Sequence, residues 1–428
     1  MSEQPSEPTR LSAKQHGVTR KRIDPNALDV TDHLTDAGFQ ALLVGGCVRD
    51  LLLGVQPKDF DVATSATPEE VRRLFRRSRL VGRRFRIAHV RYGRDIIEVS
   101  TFRKSQSFEA HDERLHDASG LILRDNVYGS LHEDAFRRDF TVNALYYDPV
   151  SGEVLDFVGG LKDLAANQLR FIGEPRVRIR EDPVRILRAV RFQAKLGFSL
   201  DPAIVAEFPQ TAPLLAAIPS ARLFDEVLKL FMSGYAAKAW ELLAPSPLCA
   251  ALFPVTPPEA NLVQLTMANT DARIAENKPV TPGFLIAVLL WEDYLARAAT
   301  YAVTCRPAEA RTLAASEAVS VQQQVTSIPR RFSHFARDVW SLQGRLETRL
   351  ARSVSRVYQH VRFRAAYDFL VFRAASDHAP EIEEAAAWWT TYQECDPEER
   401  EAMVDARRST QPKRKRRQRK RRSKSSGN

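Results

Sequence analysis

Residues 42–63, LLVGGCVRDLLLGVQPKDFDVA, decide the fold of the first part of the chain. The apolar run at residues 39–44 predicts a strand, and Gly45-Gly46 predicts a turn. Residues 48–53 predict a short helix, and residues 59–63 predict a second strand. Strand, glycine turn, helix and strand in this order indicate a mixed α/β unit.

Two carboxylates lie close together in this stretch. Asp59 and Asp61 flank Phe60, and side chains two positions apart in an extended strand point to the same face. Adjacent anions repel unless a cation neutralises them, and a set of oxygen ligands suits Mg²⁺ better than zinc. Glu98, in the apolar strand predicted at residues 95–101, is a third candidate, because a buried carboxylate needs a partner. Taken alone, an Asp-x-Asp pair is more often a solvated turn or a cap pair, and Glu98 alone could lie on an exposed strand face.

The glycine turn is a candidate phosphate site. Gly45 and Gly46 follow a strand and precede a helix, where backbone N–H groups can approach a phosphate closely. Arg49, one turn into that helix, could add a guanidinium to the same group. A Gly-Gly turn by itself is common, so the signal lies in its position before the two aspartates.

The whole chain of 428 residues is predicted to be α+β. Residues 1–28 are expected to be flexible and residues 29–173 to form a mixed head with a small β-sheet. After residue 181 helical patterns dominate, which predicts an all-helical neck (174–235) and body (236–405). A disordered basic tail (406–428) completes this division.

The positive charge is concentrated in the tail. The formal net charge is +10, and residues 413–424 alone hold ten Lys and Arg, so the rest is neutral overall. Such a block cannot bury a core, and it suits salt-sensitive, sequence-independent contacts with a polyanion such as RNA. A merely solubilising segment is the alternative. The candidate RNA-binding residues are Lys413, Arg414, Lys415, Arg416, Arg417, Arg419, Lys420, Arg421 and Arg422.

Several classes are disfavoured by the sequence. The four cysteines are far apart, without a CxxC pair, which argues against a disulfide framework or a zinc site. No apolar signal segment or membrane-spanning run is present, so a cytoplasmic location is expected. An isolated His111-Asp112 pair lacks the partners of a phosphohydrolase site. We expect a monomer.

Four ordered motifs carry a resemblance to a known family. GGCVRDLLLG with PKDFDVAT is followed by RRDFTVNA at residues 137–144, DFVGGLKDL at residues 156–164 and EDPVRILRA at residues 181–189. Together they resemble the polymerase-beta-like nucleotidyltransferase superfamily, in the branch of class II tRNA CCA-adding enzymes and bacterial poly(A) polymerases. The resemblance covers about residues 40–235.

The resemblance implies magnesium-dependent addition of nucleotides to RNA 3′ ends, with manganese as a possible substitute. Asp59 and Asp61 would bind metal, with Glu98 as the expected third ligand. Arg138, Asp139 and Asn143 would hold the sugar and phosphates of the nucleotide. Asp139 and Asn143 are four positions apart and would share a helix face, although an N-cap at Asp139 and a surface Asn143 would also explain the spacing.

A helix is predicted from Glu181, with an apolar arc that includes Val184, Leu187 and Val190. Asp182, Arg185, Arg188 and Arg191 fall on the opposite side, where arginines are ordinarily just solvated. In the resembling enzymes the pair equivalent to Asp182 and Arg185 reads the edge of the incoming base. Arg188 is carried over as a further nucleotide-binding residue.

The motifs do not separate polyadenylation from CCA addition. Residues 80–90, LVGRRFRIAHV, resemble a segment of the poly(A) polymerase branch, and the basic tail suits non-specific RNA binding. We therefore predict a poly(A) polymerase that uses ATP and acts in RNA polyadenylation and mRNA processing or decay. The alternatives are a CCA-adding enzyme and a non-catalytic RNA-binding protein; protein partners are not predicted.

Overall fold

The computed structural model describes residues 7–82, 86–104, 115–116, 122–124 and 127–410. Its strands are β1 (Thr9–Leu11), β2 (Ala41–Val44), β3 (Asp61–Thr64), β4 (Ser78–Val81), β5 (Ile87–Tyr92), β6 (Asp95–Thr101), β7 (Leu115–His116), β8 (Ile122–Arg124), β9 (Leu145–Tyr147), β10 (Val154–Asp156), β11 (Gln168–Leu169) and β12 (Ser199–Leu200). Of the basic tail predicted at residues 406–428, residues 411–428 lie outside the described residues, whereas residues 406–410 belong to the helix Pro397–Thr410 and are not disordered as predicted.

Most of the other regular structure in the described residues is α-helical, with short 3₁₀ helices at Arg20–Arg22, Thr141–Asn143 and Ala212–Ala217. The α-helices are α1 (Ala13–His16), α2 (Pro25–Asp36), α3 (Gly46–Leu52), α4 (Pro68–Leu74), α5 (Leu131–Arg137), α6 (Gly160–Ala165), α7 (Pro175–Glu181), α8 (Val184–Leu196), α9 (Pro202–Val205), α10 (Phe208–Thr211), α11 (Ser220–Phe231), α12 (Ala236–Leu243), α13 (Pro247–Leu252), α14 (Asn261–Ala275), α15 (Pro282–Leu289), α16 (Trp291–Ala302), α17 (Pro307–Val325), α18 (Arg330–Thr348), α19 (Ala351–Tyr358), α20 (Phe363–Asp377), α21 (Pro380–Glu394) and α22 (Pro397–Thr410). This α+β composition confirms the predicted fold class.

One sheet organises the head. Its strand order is β1-β10-β9-β2-β3-β6-β5-β4, and only β3 and β6 pair in parallel among its described neighbours. The β5–β6 hairpin has the bounds that alternation predicts. In the β2–β3 register Val44 pairs with Asp61, so the glycine turn and the aspartates meet at the same end of the sheet.

The central strand β2 is buried along its whole length. On one face, Leu42 and Val44 pack in a cluster with Leu131 and Ala135 of α5. Helix α2 packs on β2, β3 and β6. Its start is set by Asp24, whose carboxylate accepts from the N–H groups of residues 26 and 27. Because side chains pack on both faces of β2, the carboxyl end of this strand holds the glycine turn that follows it in a fixed position.

Residues 1–28 were predicted to be flexible, and for the described part this is wrong. Strand β1 pairs with β10, and the His16 ring hydrogen-bonds the Gly152 carbonyl at 2.9 Å. Arg22 donates to the carbonyl of Val55 at 3.0 Å. These partners lie more than thirty residues away, which composition alone does not reveal.

The chain divides into two compact units. The first comprises Met1–Pro254, Thr270–Ala275 and Gln323–Ser327, and the second Val255–Asn269, Glu276–Gln322 and Ile328–Asn428. The first unit contains both the predicted head and the predicted neck. It extends past residue 235, where a boundary between neck and body was predicted. The short strand β12, which pairs in parallel with β11 of the head, also interrupts the neck that was expected to be all helical.

The second unit is built on an aromatic core. Trp340 stacks on Tyr294 with ring centroids 4.8 Å apart, and its indole N–H donates to the Ala287 carbonyl at 3.0 Å. Phe369 packs edge-on against Trp291. Within the described ranges, no helix is both long and apolar enough to span a membrane.

Candidate active site

A cleft of about 670 Å³ lies within the first unit, at the end of the sheet where the glycine turn and the aspartates meet. Its lining includes seven cationic side chains and only four carboxylates, a balance that favours a polyanionic ligand. The cations are Arg49, Lys58, Arg138, Arg188, Arg191, Lys195 and Lys229, and the carboxylates are Asp50, Asp59, Asp61 and Asp139.

Asp59 and Asp61 both line this cleft, as their spacing predicts. Strand β3 begins at Asp61, so Asp59 lies just before the strand rather than within it. Phe60 is 5% exposed and Val62 is fully buried, so the side chains alternate as expected. Among the described residues, neither aspartate side chain has a hydrogen-bond or ion-pair partner.

The electrostatics of Asp61 reflect this lack of partners. Desolvation by the surrounding cleft wall, together with the carboxylates of Glu98 and Asp59, raises the pKa of Asp61 to about 6, while the Arg138 guanidinium opposes this shift. Two unpartnered carboxylates that disfavour each other's charge match the oxygen ligands of a divalent cation. On donor chemistry, Asp59 and Asp61 therefore fit a metal of the magnesium type.

Glu98 lies beside Asp61 in the parallel β3–β6 register. Its side chain is 52% exposed and faces His89 Nε2 at 3.4 Å, and it is not part of the cleft lining. Glu98 was expected to need a cation because a buried carboxylate requires a partner, and this reason does not hold for an exposed side chain. No group of three Asp, Glu, His or Cys side chains arranged for a metal occurs in the described part of the chain. Metal ligation by Glu98 stays a prediction.

The glycine turn supports the cleft through close backbone approach. Gly45 has φ +80°, a conformation that favours glycine, and its N–H donates to the Leu145 carbonyl at 3.0 Å. A Cβ there would lie 3.5 Å from the Asn143 carbonyl oxygen. Helix α3 starts at Gly46, two residues earlier than predicted, and places Arg49 in the cleft wall.

Arg49 is 1% exposed and held on several sides. Its Nη1 donates to Asn143 Oδ1, and its Nε and Nη2 donate to Asp50 Oδ1 at 2.9 and 2.6 Å. Its guanidinium carbon lies 5.5 Å from the centroid of the Phe192 ring. The arginine that the sequence singled out is thus a fixed donor, since its rotation would break three hydrogen bonds.

Asp139 and Asn143 meet, but not on the α-helix that was predicted. Helix α5 ends at Arg137, and a 3₁₀ turn, Thr141–Asn143, brings Asn143 Nδ2 within 3.4 Å of Asp139 Oδ1. Arg188 Nε donates to Asp139 at 2.7 Å. Burial raises the pKa of Asp139, yet Arg188 outweighs it and lowers the pKa to about 2. Asp139 therefore orients Arg188 as an ionised carboxylate.

Arg138 is oriented by the buried carboxylate of Asp134. Arg138 Nη2 donates to Asp134 at 2.9 Å, and Tyr146 donates its hydroxyl to the same oxygen at 2.8 Å. Burial raises the pKa of Asp134, but the charges of Arg138 and Arg137 lower it by more. The net pKa of Asp134 is therefore well below its usual range. The paired guanidinium of Arg138 reaches the cleft near Gly45.

The predicted base-reading pair lies outside this cleft lining. The helix expected from Glu181 is broken at Asp182, whose backbone is extended, and α8 starts at Val184. Asp182 accepts from Arg222 at 2.6 Å, and Arg185 donates to Glu181 at 2.5 Å. The predicted apolar arc of α8 is confirmed, because its residues are buried.

Several cleft residues were not predicted as site residues. Arg191, Phe192 and Lys195 come from α8, beyond the quoted motif, and the Arg191 guanidinium carbon lies 4.9 Å from the Phe192 ring centroid. Their helical spacing from Arg188 could have revealed Arg191 and Lys195. Lys229 and Tyr235 show no sequence signal that separates them from other surface residues.

The motif at residues 156–164 lies outside the cleft lining and stabilises a turn that carries one of the cleft residues. Asp156 accepts from the N–H groups of Val158, Gly160 and Leu161, which fixes the start of α6. Asp163 then accepts from the Thr141 hydroxyl at 2.6 Å. Because Thr141 begins the 3₁₀ turn that carries Asn143, this motif holds the partner of Arg49 without entering the cleft.

Other predicted features lie outside the described residues. They are the tail residues from Lys413 to Arg422, the centre of the LVGRRFRIAHV segment at residues 83–85, and the pair His111-Asp112.

Comparison with protein families finds three matches along the chain. Residues 41–170 match the family described as "Poly A polymerase head domain". Residues 197–258 match "Probable RNA and SrmB- binding site of polymerase A". Residues 304–423 match "Polymerase A arginine-rich C-terminus".

Individual relatives separate the two branches. The chain is 43% identical over 410 residues to "Poly(A) polymerase I" of Escherichia coli O157:H7, covering 93% of this chain and 88% of that protein. A "CCA-adding enzyme" of Geobacillus stearothermophilus is 39% identical over 226 residues, 53% of this chain and 54% of that protein. The sequence match to this CCA-adding enzyme thus covers only about half of the chain.

A solved structure has a related fold. The Bacillus stearothermophilus CCA-adding enzyme in complex with CTP aligns with a TM-score of 0.57 and 27% identity, over 85% of this chain and 83% of that one. The mixed head followed by helices is therefore shared across both branches.

Proposed function

Because the chain belongs to the bacterial poly(A) polymerase family and is a polynucleotide adenylyltransferase, we propose that it transfers AMP from ATP to RNA 3′ ends in the cleft of the first unit, with Mg²⁺ as its metal. The observation that carries this proposal is the unpartnered pair Asp59 and Asp61, which lies beside the Gly45 turn in a cation-lined cleft. We further propose a cytoplasmic monomer.

The cationic wall would hold the triphosphate. Arg49, Arg138 and Arg188 are each fixed by a carboxylate or amide partner and still line the cleft. Preorganised guanidiniums stabilise charge on phosphate oxygens without a reorganisation cost during the reaction. Their role would be to place the α-phosphate beside Asp59 and Asp61.

Asp59 and Asp61 would hold the metal, with Glu98 as a proposed third ligand. A bound divalent cation would neutralise phosphate charge and make the RNA 3′-hydroxyl a better nucleophile. In the transfer, the 3′-hydroxyl loses its proton to solvent and its oxygen forms a bond to the α-phosphorus as the bond to the pyrophosphate oxygen breaks. Pyrophosphate leaves with the electron pair of that bond.

No protein nucleophile is needed in this scheme. Cys47 is the one thiol in the cleft lining, and burial raises its pKa to about 12. At neutral pH it is therefore a thiol and not a thiolate, and direct transfer to RNA is the simpler route.

Base choice is proposed to involve Asp182 and Arg185, by resemblance. Both are engaged in ion pairs, with Arg222 and Glu181 respectively. These ion pairs would hold both side chains in place for reading a base edge. The RNA strand is proposed to contact the basic residues 413–422 through its phosphates.

Primer extension with single nucleotides tests the function. With an oligo(A) RNA primer we expect long extension with ATP, at a rate at least about a hundredfold above that with CTP, GTP or UTP, because hydrogen-bonded base readout discriminates strongly. A transfer RNA lacking its CCA end serves as the comparison substrate. Short C, C, A addition restricted to that transfer RNA would instead show a CCA-adding enzyme.

A further inference from the structure

Asp50 is an unexpected residue in a cleft that binds a triphosphate. It lines the cleft, its side chain is 14% exposed, and a carboxylate there repels phosphate oxygens. It has no place in the metal pair, because its two oxygens are occupied by cationic neighbours. Its presence therefore calls for a function other than contact with substrate.

The contacts of Asp50 are divided between two elements. Its Oδ1 accepts from Nε and Nη2 of Arg49 on its own helix, α3, at 2.9 and 2.6 Å. Its Oδ2 lies 3.7 Å from Nζ of Lys195, on α8. One carboxylate thus ties together two of the cations that line the cleft.

The hydrogen bonds of Arg49 show which of its donors already have a protein partner. A guanidinium carries five N–H groups. Two are used by Asp50 and one by Asn143, on the Nη1 side. Two N–H groups, one on each terminal nitrogen, have no partner among the described residues, and a guanidinium held on both flanks can offer them as a fixed fork to two phosphate oxygens.

Asp50 also offsets repulsion among the cations. Burial lowers the pKa of Lys195, and Arg49, Arg191 and Lys58 lower it further, whereas Asp50 opposes them. Without that carboxylate, Lys195 and Arg49 would face each other's charge in a partly buried wall. Moving apart would then lower the electrostatic repulsion between the two side chains.

We propose that Asp50 is a positioning residue, which fixes the Arg49 fork and the Lys195 ammonium for the triphosphate of the incoming nucleotide. This inference rests on the proposed function of the cleft. Asp50 does not contact the reacting atoms. It sets the geometry of two groups that do bind phosphate, and its loss acts on nucleotide binding more than on the chemical step.

Steady-state kinetics of Asp50→Ala and Asp50→Asn test this assignment. We expect Asp50→Ala to raise KM for ATP about tenfold or more, the scale of a lost charge-assisted hydrogen bond. The apparent Ki of inorganic tripolyphosphate should rise by a similar factor, and KM for the RNA primer should stay within about twofold. Asp50→Asn keeps the shape and one acceptor oxygen, so its effect should be intermediate.

Two further variants separate positioning from general damage. Asp32→Asn removes an exposed carboxylate that pairs with Arg20 outside the cleft, and it should leave every constant unchanged. Because Asp50 acts partly through Lys195, the effects of Asp50→Ala and Lys195→Met on KM for ATP should be less than additive in the double variant.

The outcomes are distinguishable from failure of the proposed function. If the unmodified protein does not extend RNA with ATP, the function is wrong. If it does, but Asp50→Ala and Asp50→Asn leave KM for ATP and the tripolyphosphate Ki unchanged, the positioning role is wrong. A fall in kcat alone, with both phosphate-binding constants intact, would also overturn it.

Discussion

Replacing Asp61 by asparagine is expected to lower the rate of AMP incorporation by about a thousandfold or more. Metal binding supplies several kcal/mol of charge stabilisation in such transfers, and each 1.4 kcal/mol corresponds to about a tenfold change in rate. Asparagine keeps the size of the side chain but not its charge. The measurement is single-turnover extension of an oligo(A) primer with saturating ATP and magnesium.

The control for Asp61→Asn is a carboxylate of the same head that lies away from the cleft. Asp36 is exposed near the end of α2, and Asp36→Asn should retain full activity. RNA binding, followed by fluorescence anisotropy, should be nearly unchanged in both variants, and Asp59→Asn should match Asp61→Asn. An Asp61→Asn protein within tenfold of the parent rate would exclude the metal pair.

Alanine at Gly160 is expected to destabilise the first unit and to impair catalysis together. A Cβ at this position would lie 2.3 Å from the Thr141 carbonyl oxygen and 2.9 Å from its carbonyl carbon. Both are backbone atoms, so α6 or the Thr141–Asn143 turn must move. We expect a loss of about 2–3 kcal/mol in the free energy of unfolding, typical of severe overpacking.

The catalytic effect of Gly160→Ala follows from the same displacement. Since Asn143 accepts from Arg49, a shifted turn loosens the phosphate site and should reduce kcat/KM for ATP by about tenfold, the scale of one charge-assisted hydrogen bond. Denaturant unfolding and initial rates measure the two effects.

Gly38→Ala is the matched control for Gly160→Ala. Gly38 has φ +87°, and a Cβ added there would meet open space, so the substitution should cost about 1 kcal/mol from backbone strain alone and leave kcat/KM unaltered. If Gly38→Ala and Gly160→Ala changed the free energy of unfolding and kcat/KM by the same amounts, the steric conflict with Thr141 would be contradicted.

Local patterns predicted the local geometry at the centre of the candidate site. The strand, glycine turn and paired aspartates depend on residues close in sequence, and the β5–β6 hairpin is set by alternation and its Gly93-Arg94 turn. The side-chain alternation around Phe60 follows from the two-residue period of extended backbone. Such features need no knowledge of distant segments.

Long-range pairing explains what the sequence did not reveal. Arg49 and Asn143 are 94 positions apart, and Asp182 pairs with Arg222 forty positions later. The helix predicted through Asp139 fails because Asp139 turns to the Arg188 guanidinium instead. Asp50 was passed over because a single acid beside an arginine has no periodic or motif signal of its own.

The most direct test of the metal pair is anomalous diffraction from crystals soaked with Mn²⁺ and a non-hydrolysable ATP analogue. The account predicts an anomalous peak about 2.0–2.2 Å from carboxylate oxygens of both Asp59 and Asp61, with the triphosphate beside Gly45 and Arg49. A triphosphate bound there with manganese elsewhere, or with both carboxylates turned away from it, would contradict the account.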